Sequence, residues 1–213
     1  MPDRRTRLEP RKEPVQKRSR ATVDELLLAA AQVFEALGYA AATTNRIAQR
    51  AGVSIGTLYQ YFPSKEAVAV ALLERHLAET DQRLQQWVEG VVPARQTLRG
   101  ALHDYVAGML DMHSGRPRLQ HILLEEIPLP ERVHLTLIDA ERRAAVTVAG
   151  VLEAYPEIRR AHLEQAAFLL VQTVESLTHR FAAHPAQQMV SRERFVNELV
   201  TMLEAYLTFL TLS

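Results

Sequence analysis

Cysteine is absent from the 213 residues. That excludes disulfides, thiolate metal sites and cysteine nucleophiles, and it fits a reducing compartment. No apolar run approaches the roughly 18 residues that a membrane-spanning helix requires. The N-terminus opens on arginines without the apolar stretch of a secretory signal, so a cytoplasmic protein with no membrane partner is expected. Strand signals are nearly missing, as are internal repeats and low-complexity tracts. Signatures of catalysis are missing too: there is no G-x-S-x-G, P-loop or G-x-G-x-x-G, and no identifiable acid–base pair. The histidines, among them His103, His113, His121, His134, His179 and His184, include no i, i+4 pair and no H-E-x-x-H. The expectation is no enzyme, no cofactor and no metal site.

What is present is apolar enough for a globular core, at 47%. Net charge is zero, but unevenly spread. Residues 1–20 hold eight Arg/Lys against three acids, a surplus of +5 that the remainder balances with −5. Such a basic arm suits a polyanion, although a solvated, disordered terminus has the same composition.

Helical periodicity and helix punctuation account for most of the chain after residue 20. Thr22-Val23-Asp24-Glu25 reads as a capping box, followed by an apolar face and a stop at Gly38. Thr43 or Thr44 opens a second helix ending at Gly52. Ser54 opens a third, and Ser64 a fourth. Longer helices follow, with starts expected near Pro156 and Ser191 for the last two. The fold class is therefore all-α. Its expected divisions are an arm (1–19), a domain of three short helices (20–66) and a larger helical domain (67–213).

Three short helices, the second and third joined by a glycine turn, make a helix-turn-helix geometry. Ile47, Val53, Leu58 and Phe62 are spaced to point inward. Ser54, Ile55, Gly56, Thr57, Tyr59, Gln60 and Tyr61 are left on the outside of the third helix. Gln60 can pair with an adenine edge, and Thr57 can touch a thymine methyl. Tyr59 and Lys65 can bond phosphates. A surface helix in an all-α interaction protein would show part of this pattern.

The run TTNRIAQRAGVSIGTLYQYFPSKEAV (43–68) resembles the DNA-binding region of the TetR family of transcriptional regulators. It follows that family's pattern at Thr44, Ile47, Ala48, Ala51 to Ser54, Gly56 to Tyr59, Tyr61, Phe62 and Ser64 to Glu66. The resemblance implies phosphate contacts for Thr44, Tyr59 and Lys65. It puts Asn45, Ile55, Gly56, Thr57, Gln60 and Tyr61 at or near base edges, and Arg46 and Ser54 complete the expected DNA-facing set. It further implies a homodimer on an inverted-repeat operator in duplex DNA. The C-terminal half would bind an apolar or amphipathic small molecule that releases the repressor.

By itself the second half carries two seams. Leu163, Ala167, Leu170, Val174, Leu177 and Phe181 step by four and three, as do Phe195, Leu199, Met202, Tyr206 and Phe209. Leu163, Ala167, Leu170, Val174 and Leu177, with Phe195, Leu199, Met202 and Tyr206, are candidates for a dimer interface. Burial inside one monomer would produce the same stripes. Trp87, Leu102, Tyr105, Met109, Met112 and Ile122 are candidates for a pocket lining, as are Leu123, Leu137 and Phe168, with Glu126 and Gln172 as polar contacts. Ordinary core or solvated faces would use the same residue types. A constitutive repressor with no small-molecule ligand is the corresponding alternative.

Overall fold

In a computed structural model, residues 17–94, 96–128 and 130–209 are described. They form helices α1 (Lys17–Ala41), α2 (Thr44–Arg50), α3 (Ile55–Tyr61), α4 (Lys65–Ala94), α5 (Leu98–Gly115), α6 (Pro117–His121), α7 (Glu131–Leu152), α8 (Leu163–Ala183) and α9 (Arg192–Thr208). A π-helical turn spans Ile122–Glu126. No strand occurs among the described residues. The chain divides into two compact units. One takes in the chain to His76 together with Arg118–Val133, and the other holds Leu77–Pro117 and His134 onward. The expected arm lies almost wholly outside the described residues.

In the first unit, Leu26, Ala30 and Phe34 of α1 are fully buried, and Ile47, Leu58, Val68 and Leu73 from α2, α3 and α4 are buried with them. Each large apolar side chain removed from water contributes about 1.5–3 kcal/mol. The expected capping box at Thr22 does not hold. The chain is already helical at Lys17, so Thr22 lies inside the helix, where no N-cap can form. Lys and Arg are good helix formers, and they carry the helix upstream through the basic stretch. Gly38 does break α1, at φ 74° and ψ 166°, a conformation an L side chain resists. Just past the break, the Tyr39 N–H donates to Glu126 Oε2 at 3.2 Å. Glu126 belongs to the π-helical turn, whose Ile122 and Leu123 are both 1% exposed. This returning segment falls outside the 20–66 span expected for the first domain.

In the second unit α5 packs on α8 and α9. Leu98, Leu102, Val106 and Leu110 meet Ala167, Leu170, Val174, Leu203 and Leu207 in one continuous core. Thr97 caps α5 by accepting the Gly100 N–H at 3.2 Å, and Ser191 caps α9 by accepting that of Arg194 at 3.3 Å. The start expected near Pro156 is displaced to Leu163. Residues 153–162 instead form turns tied to the end of α9. The Arg159 N–H donates to the Leu207 carbonyl at 2.9 Å, and the Arg160 side chain donates to the Tyr206 carbonyl while lying over that ring. A helix C-terminus leaves carbonyls without intrahelical donors, and two arginines supply them.

Candidate nucleic-acid interface

The helix-turn-helix is assembled by caps. Thr43 is extended (φ −130°, ψ 153°), and its hydroxyl accepts the Arg46 N–H at 3.3 Å. At the other end of α2, Gly52 takes φ 68°. The Val53 N–H reaches back to the Ala48 carbonyl at 3.0 Å, and the Gly52 N–H to that of Gln49 at 3.2 Å. This is a Schellman motif, and it sets the direction in which the chain leaves α2. Ser54 then opens α3 by accepting the Thr57 N–H at 3.0 Å, its hydroxyl lying 2.9 Å from that of Thr57.

Burial fixes which face of α3 is outward. Ile47, Leu58 and Phe62 are no more than 1% exposed, while Val53 is half-buried. Asn45, Arg46, Ser54, Gly56, Tyr59 and Gln60 are exposed; Thr44, Ile55, Thr57, Tyr61 and Lys65 are half-buried. Hydrogen bonds then order several of these side chains. The Thr44 and Tyr59 hydroxyls lie 3.1 Å apart, joining the start of α2 to α3. The Ser19 hydroxyl donates to the Tyr61 oxygen at 3.2 Å, and Arg46 Nη1 donates to the Ala41 carbonyl at 3.1 Å. Ordered donors lose less entropy on meeting a ligand.

Lys65 is held by a residue that sequence reading missed. Its Nζ donates to the Tyr39 carbonyl at 2.7 Å and sits 4.0 Å from the centre of the Tyr39 ring. An ammonium has three N–H donors, so this bond leaves capacity for a phosphate. The Tyr39 hydroxyl in turn donates to Glu66 Oε1 at 3.2 Å. Burial, then the Glu66 charge and hydrogen bond, push the Tyr39 phenol far above its usual range. Burial also pushes Glu66 upward. Its backbone N–H, the hydroxyls of Ser64 and Tyr39 and the Lys65 charge outweigh this, leaving Glu66 below its usual value. The one hint in the sequence was an aromatic directly after a helix-breaking glycine.

The other candidates scatter. Ile122, Leu123 and Glu126 belong to the first unit, and the remaining pocket candidates belong to the second. Phe168 is 38% exposed on the outside of α8, so it lines no interior. Leu102 and Met112 are buried core, and Leu137 and Gln172 are half-buried. Trp87, Tyr105 and Met109 do come together, in a cleft between α4 and α5 of about 310 Å³. In the seams, Ala167, Leu170, Val174 and Leu199 are at most 4% exposed within a single chain. They are intrachain core and offer a second subunit no surface. Leu163, Phe195 and Tyr206 are half-buried against the same core. The outward apolar residues of the seams are Leu177, Met202 and Phe209, and Phe168 and Leu169, which the seams did not include, are also exposed on α8.

Residues 26–72 match the profile of the tetR family of bacterial regulatory proteins, and residues 97–207 match that of the tetracyclin repressor-like C-terminal domain. The HTH-type transcriptional activator FasR of Mycolicibacterium smegmatis is 41% identical over 81 residues, which is 38% of this chain and 37% of that one. The match thus spans well under half of that relative. A TetR/AcrR-family regulator from Thermobifida fusca superposes with a TM-score of 0.69 at 18% identity, over 86% of this chain and 97% of the other. FadR from Bacillus subtilis, solved in complex with stearoyl-CoA, superposes with a TM-score of 0.64 at 17% identity, over 87% and 97%. At those identities the two structures speak for the fold alone.

Proposed function

Because the chain belongs to the TetR family of bacterial regulatory proteins, we propose that it is a homodimeric transcriptional regulator whose α3 enters the major groove of an inverted-repeat operator. The observation that carries this reading is the outward face of α3. Gly56 and Gln60 are exposed there, over a buried Leu58 and beside a glycine-stopped α2. Gln60 reads an adenine edge, Thr57 and Gly56 admit close approach to the bases, and Thr44, Tyr59 and Lys65 hold phosphates.

The second unit supplies dimerisation and ligand response. Leu169, Leu177 and Met202 expose apolar surface on α8 and α9, and surface of that kind supports a protein partner. In this reading the partner is a second copy, and two-fold protein symmetry calls for two-fold DNA. A small molecule bound by the second unit prefers the state that does not fit the operator, so the unliganded dimer represses and the liganded dimer releases. The protein acts in the cytoplasm by occupying DNA, with no catalytic step. Titration of a candidate operator across a range of salt concentrations tests the core of this reading. Affinity should fall linearly with log salt, through release of counterions, while the chosen site stays favoured over unrelated duplex. Binding without salt dependence or sequence preference would leave an all-α interaction protein in its place.

A further inference from the structure

The cleft between α4 and α5 has features that a packing defect does not explain. Gly90 and Gly108 both line it, one on each helix, and a Cβ added at either would meet nothing within 4 Å. Glycine weakens a helix interior, and here two glycines keep the same space open. The cleft is lined by an aromatic pair: the rings of Trp87 and Tyr105 lie 5.0 Å apart, tilted by 48°. Trp87 Nε1 is committed to the Ala101 carbonyl at 3.0 Å, which fixes the indole in place. Its charged lining residues are one acid and one base, Asp104 and Arg83. Gln96 Nε2 donates to Asp104 Oδ2 at 2.9 Å and His103 Nδ1 lies 3.5 Å from Oδ1, anchoring a carboxylate that is still half-exposed. The charge of Glu175 also acts on the buried Tyr105 hydroxyl, which burial and that charge together push above its usual range. Arg83 is exposed.

We propose that this cleft is the effector site of the regulator, and that it takes a flat aromatic cation whose ring lies against Trp87 and Tyr105 and whose charged N–H edge meets Asp104. A cation is attracted to an indole or phenol face, the more so once desolvated. A carboxylate held by a neighbouring amide presents its remaining lone pairs without further ordering. The site rests on the reading of the second unit as ligand-responsive, and it narrows that reading to one chemical class.

Trp87 is the chain's single tryptophan, so its fluorescence reports on the cleft without labelling. Benzamidine, benzamide and benzoate form a matched series of one shape and three charges. Titrated into the full-length protein to about 10 mM, a range suited to fragments of this size, benzamidine should perturb Trp87 and bind about tenfold more tightly than benzoate. Asp104→Asn should remove that preference. Gly108→Leu should fill the cleft and abolish all three responses while leaving the Tm unchanged or raised, since the added side chain enters open space. Benzoate binding as well as benzamidine, an unaltered response in Gly108→Leu, or silence of Trp87 with the whole series would each overturn the assignment. Operator binding is read separately. Should benzamidine titrate Trp87 as described yet leave operator affinity unchanged, the cleft would remain a cation site and its role as effector site would fall.

Discussion

Glu126 Oε2 accepts the backbone N–H of Tyr39 at 3.2 Å, across 87 residues of sequence. That bond closes onto the α1 break at Gly38, and Tyr39 then holds Lys65 through its carbonyl and its ring. A segment remote in sequence thereby helps to position a phosphate-binding candidate. Glu126→Ala removes the acceptor. It should destabilise the protein by about 0.5–1.5 kcal/mol, the usual net worth of such a bond. Thermal unfolding checks the loss, and operator affinity should fall with it for every sequence alike.

Lys65→Ala and Gln60→Ala should separate two kinds of contact. Loss of the lysine should weaken binding to all duplexes and reduce the salt slope by about one. Loss of the glutamine should cost about 1–3 kcal/mol against the preferred base and little elsewhere. Binding to a panel of single-base operator variants distinguishes the two, and equal loss of sequence preference in both mutants would contradict the assigned roles.

Two glycines of the reading unit should respond differently to alanine. Gly52 has φ 68°, so Gly52→Ala should destabilise the fold by about 1–2 kcal/mol. At Gly56 an added Cβ meets only Ser54 Oγ at 3.6 Å, an ordinary contact. Gly56→Ala should therefore leave chemical denaturation unchanged while lowering operator affinity, because the methyl group is added to the face proposed to meet the bases.

Much of the reading unit was legible because its signals are local. The caps at Thr43 and Ser54, the positive φ at Gly52 and the inward Ile47, Leu58 and Phe62 each depend on a few neighbouring residues. Long-range packing was not legible in the same way. Nothing periodic marks Arg118–Val133 as a segment that returns to α1. The seams misled for a related reason: a stripe at four and three spacing looks the same whether it faces its own domain or a partner. Ala167, Leu170, Val174 and Leu199 proved to be core, and the surface fell to flanking residues such as Leu169. At Pro156, a good first-turn residue was overruled because Arg159 and Arg160 are used to satisfy the end of α9.

Leu177→Glu and Met202→Glu should dissociate the proposed dimer with little loss of monomer stability, since both side chains are exposed in one chain, at 38% and 49%. A charge placed in an apolar interface costs several kcal/mol. Leu170→Ala should instead destabilise each monomer by about 2–5 kcal/mol through an unfilled cavity. Sedimentation equilibrium and denaturant unfolding separate the two effects. A stable monomer at micromolar concentration in the unmutated protein would contradict the proposed assembly.

The acid limb of stability should depend on Glu66. Burial raises its pKa, but its hydrogen bonds and Lys65 lower it further, so the folded value lies below the usual 4.5. A depressed carboxylate stabilises the fold above the unfolded pKa, and that contribution is lost as pH falls from about 4.5 through the folded value. Glu66→Gln should flatten the decline in this window, as read from Tm against pH. An unchanged acid limb would remove Glu66 from it.

Selection of bound sequences from random duplex DNA by the full-length protein measures whether α3 reads bases as one half of a symmetric pair. The expected result is an enriched inverted repeat with half-site centres roughly one helical turn, or a multiple of it, apart. Gln60→Ala should broaden one position in both halves together. Enrichment of no sequence, or of a single asymmetric site insensitive to Gln60→Ala, would contradict it.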